Sequence, residues 1–144
     1  MIRLQWTARI SRGKNMEAVQ WAKETAEYLR SKYPDILAIA AYEEHLLSYA
    51  NKKLSEIGSI RFFGTSPQKA SLVSFQIGDI HHYDAGTLID KMGIAIRTGH
   101  HCAMPLMEYL QIPGTLRASF SFYNTTEEID QFILAVKKAK DMLT

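Results

Sequence analysis

Residues 60–77, IRFFGTSPQKASLVSFQI, carry the pattern of two β-strands joined by a turn. Residues 60–64 predict a short first strand, and residues 66–69 are of the types that turns prefer. Residues 70–77 predict a second strand with apolar side chains at Leu72, Val73, Phe75 and Ile77. We expect the two strands to pair in antiparallel fashion.

Downstream of this strand pair, the chain alternates between helical and extended patterns. Residues 83–92 have helical spacing and end at Gly93, and residues 94–97 predict a buried strand. A loop over residues 98–105 and a short helix over residues 106–110 follow. The next predicted elements are a strand over Leu116–Phe122, a capping box over Thr125–Glu128, and a last helix with Ile129, Phe132, Ile133 and Val136 on one face.

Upstream of the strand pair, two helices are predicted. One extends from about Asn15 until Tyr33-Pro34 stops it, and the other extends from about Ile36 to Ile57 after a cap at Asp35. Residues 1–10 alternate between apolar and polar side chains and predict a further strand.

These elements together predict an α+β fold, a two-layer sandwich in which helices cover one face of a mostly antiparallel sheet. With 144 residues, 47 % of them hydrophobic, the chain is long enough for one core. We therefore expect residues 1–144 to form a single domain.

Composition excludes several classes of protein. A net charge of +2 without a run of basic residues gives no indication of nucleic-acid binding. No apolar stretch approaches the length of a membrane span, and residues 1–6 lack the pattern of a signal peptide. We expect a cytoplasmic protein with neither a nucleic-acid nor a membrane partner. Its one cysteine, Cys102, excludes a disulfide within the chain.

The loop over residues 97–105, RTGHHCAMP, is the most unusual local string in the chain. Thiolate is the reactive form of cysteine, and nearby cations stabilise it. Arg97, His100 and His101 all precede Cys102 within five residues, and Gly99 allows the loop to curl back. A reactive Cys102 and a Cys102 that merely packs in the core both fit this pattern.

Two further groups in the sequence suggest weaker sites. His100, His101 and Cys102 are three consecutive potential metal ligands, and three such neighbours seldom all face one ion. Asp79, His81 and His82 would have to join them from another loop. We therefore expect no metal site. Arg117 lies within an alternating apolar strand, where it is either a solvent-facing residue or a guanidinium placed to bind a carboxylate.

A family resemblance is carried by the loop RTGHHCAMP (residues 97–105) and by the later segments PGTLRASFSFYNT (residues 113–125) and EEID (residues 127–130). The sequence closely resembles the C-terminal part of Suf-type cysteine desulfurases and selenocysteine lyases. These are class V aminotransferase-like enzymes that use pyridoxal phosphate. The resemblance covers about residues 36–144 and implies the small-domain fold of pyridoxal-phosphate transferases. Residues 1–35 do not match this family at the position they occupy.

The resemblance also implies roles for individual residues. Cys102 corresponds to the cysteine that attacks the sulfur of a cysteine substrate, which leaves alanine and a persulfide on the enzyme. Arg117 corresponds to the arginine that binds the substrate carboxylate, whereas Arg97 and His101 would shape and polarise the site. The persulfide sulfur then passes to an acceptor protein for iron–sulfur cluster assembly.

The family's cofactor domain, with its Schiff-base lysine, has no counterpart among these residues. We therefore expect that this chain alone binds no pyridoxal phosphate and is inactive as a desulfurase. Two alternatives stay open, a cofactor-free sulfur carrier or partner-binding module and a recombined or engineered chimera without activity. A homodimer is a further possibility, because the small domain normally packs against a larger one.

Overall fold

The computed structural model describes residues 15–32 and 35–144. The chain divides into two units between Ala38 and Ile39. The predicted strand over residues 1–10 lies outside the described residues. The prediction of one domain stays a prediction, and the division lies close to residue 36, where the sequence resemblance begins.

The described helices and strands follow one another in the order that the sequence predicts. Their bounds are α1 (Asn15–Lys32), α2 (Asp35–Ser55), β1 (Ile60–Phe63), β2 (Leu72–Ile77), α3 (His82–Lys91), β3 (Arg97–Gly99), α4 (Met104–Leu110), β4 (Thr115–Ser119) and α5 (Thr126–Leu143).

The strands form one four-stranded sheet in the order β1-β2-β4-β3, and each neighbouring pair is antiparallel. The predicted pairing of residues 60–64 with residues 70–77 is therefore confirmed, with Phe62 opposite Phe75. Strand β4 lies in the centre of the sheet, where it pairs with β2 on one side and β3 on the other.

One face of the sheet carries the hydrophobic core of the second unit. Burial alternates along β2, where Val73, Phe75 and Ile77 are buried and the residues between them are half-buried. Because alternate strand residues point to opposite faces, the half-buried residues Leu72, Ser74 and Gln76 point to the other face. Helices α2, α3 and α5 supply the rest of the core, including Leu46, Leu54, Ile89, Phe132 and Val136. The predicted α+β sandwich is confirmed.

The predicted buried strand over residues 94–97 is wrong. Strand β3 begins only at Arg97, which is exposed, and continues to Gly99. The backbone N–H of Ile94 donates to the carbonyl of Ile89 at the end of α3. This N–H is therefore not available to pair with a neighbouring strand. Ile94 and Ile96 still pack against the core, which explains their apolar character.

Helix α5 has the N-terminus that its sequence predicts. The Thr125 side chain accepts a hydrogen bond from the Glu128 backbone N–H, and the Glu128 carboxylate accepts one from the Thr125 backbone N–H. This capping box satisfies donors that the first turn of a helix leaves free. It also fixes the point at which the chain leaves β4 and turns into α5.

Candidate functional site

Arg97 and Arg117 lie directly opposite each other on the paired strands β3 and β4. Directly opposed residues point to the same face, which here is the face away from the core. Ser74 of β2 lies on the other side of Arg117 on that face. Two like charges so placed repel each other, and an anion bound between them would relieve that repulsion.

The loop that follows β3 is shorter than predicted. Gly99 still belongs to β3 and α4 begins at Met104, so only residues 100–103 connect them. The Ala103 backbone N–H donates to the His100 carbonyl at 2.8 Å, which closes the loop as a turn. Cys102 lies at the exposed part of this turn.

The turn holds two consecutive residues in the left-handed backbone region, with φ of 54° at His101 and 60° at Cys102. Residues other than glycine adopt this region at a cost, so surrounding contacts must hold them there. The Cys102 backbone N–H donates to Nδ1 of His100 at 3.1 Å. The His100 side chain therefore holds the backbone that presents the Cys102 thiol.

The His101 ring turns inward from the same loop. Its Nε2 lies 2.9 Å from Oγ1 of Thr115, the first residue of β4. The pKa of His101 is lowered, first because the ring is removed from water and then because Arg117 and Arg97 place positive charge beside it. We therefore expect a neutral imidazole at physiological pH.

A second inward-facing histidine, His82 at the start of α3, lies against the chain just before β4. A Cβ at Gly114 would stand 2.6 Å from Nε2 of His82 and 2.8 Å from the carbonyl carbon of Gly99. Only glycine fits at position 114, where the chain passes this close to His82 and Gly99. The pKa of His82 is lowered by removal from water and by His81 beside it.

The four residues that the resemblance implies lie on adjoining elements of the chain, and two further residues lie beside these elements. Arg97, His101, Cys102 and Arg117 all belong to β3, β4 or the loop between β3 and α4. Thr115 and His82 were not predicted as site residues. Their contacts join segments distant in sequence, and no local pattern marks them.

The other potential metal ligands have different contacts. Nδ1 of His81 accepts a hydrogen bond from the Tyr83 backbone N–H and caps α3. Within residues 15–32 and 35–144, no three histidine, cysteine or acidic side chains converge as a metal site would require. In the same part of the chain, no helix is both long and apolar enough to cross a membrane.

The described residues do not fit covalently bound pyridoxal phosphate. The cofactor needs a lysine amine, and the segment from Arg97 to Ser119 that builds the site contains no lysine. The described lysines belong to helices or, for Lys69, to the β1–β2 turn, where Nζ donates to the Gly64 carbonyl. No step through the cofactor is therefore assigned to these residues.

Curated relatives of this chain are cysteine desulfurases. One from Yersinia pestis is 43 % identical over 108 residues, which make up 75 % of this chain and 26 % of the relative. The chain therefore spans about a quarter of the length of the curated relatives it matches.

Solved structures of cysteine desulfurases are also similar to this chain. The cysteine desulfurase CsdA from Escherichia coli matches with a TM-score of 0.71 and 37 % identity, over 82 % of this chain and 29 % of that one. A cysteine desulfurase from Thermococcus onnurineus matches with a TM-score of 0.68 and 34 % identity, over 73 % of this chain and 26 % of that one.

The family model for class V aminotransferases, a family that depends on pyridoxal phosphate, matches residues 13–132. The match begins well before residue 36, so it includes α1, which the sequence resemblance left out. It also includes β1 to β4, the Cys102 loop and the first part of α5. Because the matched range is most of the sequence, this chain belongs to the class V aminotransferase family.

Proposed function

We propose that this chain supplies the sulfur-accepting loop and the carboxylate-binding arginine of a cysteine desulfurase. The observation that carries the proposal is the exposed Cys102 thiol, which a hydrogen-bonded turn presents next to the strands that carry Arg97 and Arg117. The relatives named cysteine desulfurases support the substrate, L-cysteine.

In this proposal the Arg117 guanidinium binds the carboxylate of the cysteine substrate, and Arg97 across the strand pair adds positive charge. The Cys102 thiolate would form a bond to the substrate sulfur while the carbon–sulfur bond of the substrate breaks. The electron pair of the broken bond would stay with the carbon, which takes up a proton to become the methyl group of alanine. The products are alanine and a persulfide on Cys102. In this family pyridoxal phosphate supplies the activation of that carbon–sulfur bond, and we propose that residues other than those of the Cys102 site hold it.

The proposal also assigns partners and a compartment. The persulfide would pass its outer sulfur to an acceptor protein for iron–sulfur cluster assembly, because an exposed loop allows a second protein to approach. Cysteine desulfurases are often dimers, and we propose the same for the protein in which this chain works. A cytoplasmic location fits an exposed free thiol, which a reducing compartment protects.

A domain exchange tests this function. Residues 39–144 would replace the matching segment of the Yersinia pestis cysteine desulfurase, and alanine release and the mass of the Cys102 peptide would be measured with L-cysteine. We expect alanine and a persulfide on Cys102, and neither with Cys102→Ser as the matched control. A cofactor-loaded chimera that releases no alanine and leaves Cys102 unmodified would contradict the proposal.

The isolated chain tests the need for a cofactor domain. Mixed with pyridoxal phosphate and L-cysteine, it should give no aldimine absorbance and release no alanine. Catalytic alanine release by the isolated chain would contradict this expectation.

A cofactor-free sulfur carrier is a second candidate. It is favoured by the exposure of Cys102 on a turn that is closed by hydrogen bonds to His100. Incubation with a complete desulfurase and L-cysteine separates the candidates, because a carrier would gain a persulfide at Cys102 without any domain exchange. An unlabelled Cys102 would exclude the carrier.

A further inference from the structure

The His100 side chain accepts a hydrogen bond from a backbone N–H two residues ahead, that of Cys102, at 3.1 Å between Nδ1 and N. Asparagine and aspartate cap turns with the same spacing, through a side-chain oxygen bonded to Cγ. In histidine, Nδ1 is the nitrogen bonded to Cγ, so the acceptor occupies an equivalent position. We call this hydrogen bond the His100 cap.

The chain uses the same arrangement at the start of α3. Nδ1 of His81 accepts from the Tyr83 backbone N–H at 3.3 Å, and His81 is the N-cap of that helix. The backbone that follows His81 is ordinary helix, whereas φ is 54° at His101 and 60° at Cys102. Of these two histidine caps, the one at His100 therefore supports a backbone conformation that residues other than glycine adopt at a cost.

The His100 cap is the part of the turn that depends on the identity of residue 100. The other hydrogen bond of the turn runs from the Ala103 N–H to the His100 carbonyl, and any residue at this position supplies a carbonyl. His100 is exposed, so a substitution there removes little packing. The cap can therefore be deleted on its own, without disturbing the core.

The direction of the hydrogen bond fixes the protonation of the ring. A backbone N–H can only donate, so Nδ1 of His100 accepts and carries no hydrogen. The hydrogen of a neutral imidazole is then on Nε2, and a doubly protonated ring has no acceptor left. The cap therefore requires a neutral His100 with its hydrogen on Nε2.

We propose that His100 is a positioning residue, whose neutral imidazole holds Cys102 in the left-handed backbone conformation that presents the thiol. The inference rests on the proposed function in that the presented thiol is the sulfur acceptor of the desulfurase reaction. A backbone set before the substrate arrives removes orientational freedom from the nucleophile, and less freedom is then lost during the attack. His100 acts through Cys102 and makes or breaks no covalent bond itself.

Nuclear magnetic resonance of the ¹⁵N-labelled 144-residue chain tests the cap without any activity measurement. At a pH well above the ordinary histidine pKa of about 6.5, we expect His100 as a single tautomer protonated at Nε2. Cys102 should show the strong cross-peak between its amide hydrogen and its Hα that a positive φ produces. A neutral His100 protonated at Nδ1, or a Cys102 without that cross-peak, would overturn the proposal.

Three substitutions separate the cap from a general effect on structure. His100→Leu keeps a branch at Cγ but offers no acceptor, so the Cys102 cross-peak should weaken and the Cys102 amide should exchange about fivefold faster. His100→Asn places an oxygen on Cγ and should restore both signals. His81→Leu, the matched control, removes the equivalent bond at α3 and should leave the Cys102 signals unchanged. Unchanged Cys102 signals in His100→Leu would overturn the proposal.

The domain exchange described above measures the effect on the reaction. His100→Leu should lower kcat for alanine release by about tenfold and leave KM for L-cysteine within about twofold, because the carboxylate still binds Arg117. His100→Asn should recover most of kcat. An unchanged kcat in His100→Leu, or an equal loss in both variants, would overturn the positioning role.

Failure of the cap and failure of the proposed function are distinguishable. A persulfide on Cys102 in the domain exchange, with Cys102 signals and kcat that His100→Leu leaves unchanged, would overturn the cap alone. The expected tautomer and cross-peak, together with an unmodified Cys102 in the domain exchange, would contradict the desulfurase function.

Discussion

Thr115 is the only polar residue that is buried among the described residues, with 1 % of its surface exposed. A buried hydroxyl is costly unless it is paired, and His101 provides the partner. Cys102, Arg97, Arg117 and His101 were predicted from sequence because they lie in a recognisable string of residues. Thr115 was missed because its importance comes from burial and from a contact with a residue 14 positions away.

At the residue scale, the two inward-facing histidines predict how stability depends on pH. Burial lowers the pKa of both His82 and His101 in the folded chain, so the unfolded chain binds protons at higher pH than the folded chain does. Stability should therefore be fully present above the ordinary histidine pKa of about 6.5 and decline as the pH falls below it. Urea unfolding at a series of pH values between neutral and mildly acidic measures this dependence.

The matched variants for this prediction are His101→Gln and His45→Gln. The first removes an imidazole that burial and the positive charges of Arg117 and Arg97 keep neutral, and it should flatten the decline. The second removes an exposed imidazole of α2 and should leave the decline unchanged. Equal slopes for wild type and His101→Gln would contradict the assignment.

At the scale of elements, the sequence predicted most helices and strands and the pairing of β1 with β2, but it misplaced β3. Helix α5 was predicted well because its capping box is local in sequence. The strand at residues 94–97 was misplaced because Ile94 and Ile96 are apolar for packing against the core, whereas the end of α3 takes the Ile94 N–H. Alternating apolar residues indicate that a segment is buried on one side, but they do not by themselves show that it pairs with a strand.

The α5 cap gives a direct prediction. Thr125→Ala removes the side-chain acceptor for the Glu128 backbone N–H and should reduce the free energy of unfolding by about 1 kcal/mol. Thr125→Ser is the matched control and should retain most of the stability. Urea unfolding followed by circular dichroism measures both, and equal stability of the alanine variant and wild type would show that the cap contributes nothing.

A helix glycine gives the second prediction at this scale. A Cβ at Gly86 in α3 would overlap Cγ2 of Thr98 in β3. Glycine-to-alanine changes inside helices usually stabilise by about 1 kcal/mol, yet here overpacking should make Gly86→Ala destabilising by about 1–3 kcal/mol.

The partner residue provides the control for Gly86. Thr98→Ser removes the overlapping methyl group, so the double variant should recover most of the stability that Gly86→Ala loses. A Gly86→Ala protein more stable than wild type in thermal unfolding would show that α3 does not lie this close to β3.

At the scale of the whole molecule, the second unit contains a complete core. Every residue of the core cluster lies between Leu46 and Ala139, within the unit that begins at Ile39. We therefore expect residues 39–144 to fold alone and to unfold cooperatively in urea. A broad transition with exposed apolar surface, detected by dye binding, would contradict this expectation.

A core variant shows whether that transition reports native packing. Phe75 is fully buried on β2 and contacts the Phe132 ring of α5 edge to face. Phe75→Ala in residues 39–144 should lower the free energy of unfolding by about 3–5 kcal/mol. A smaller loss, below about 1 kcal/mol, would indicate a loosely packed state.

The two outer strands of the sheet have a consequence for behaviour at high concentration. Strand β1 has four residues, β3 has three, and each carries an exposed arginine, Arg61 and Arg97. Short charged edges are poor templates for the strand of another molecule, because few backbone groups are free to pair and like charges meet. Among the described residues, the borders of the sheet are thus poor sites for edge-to-edge aggregation, and Arg97 at one of them also lies opposite Arg117.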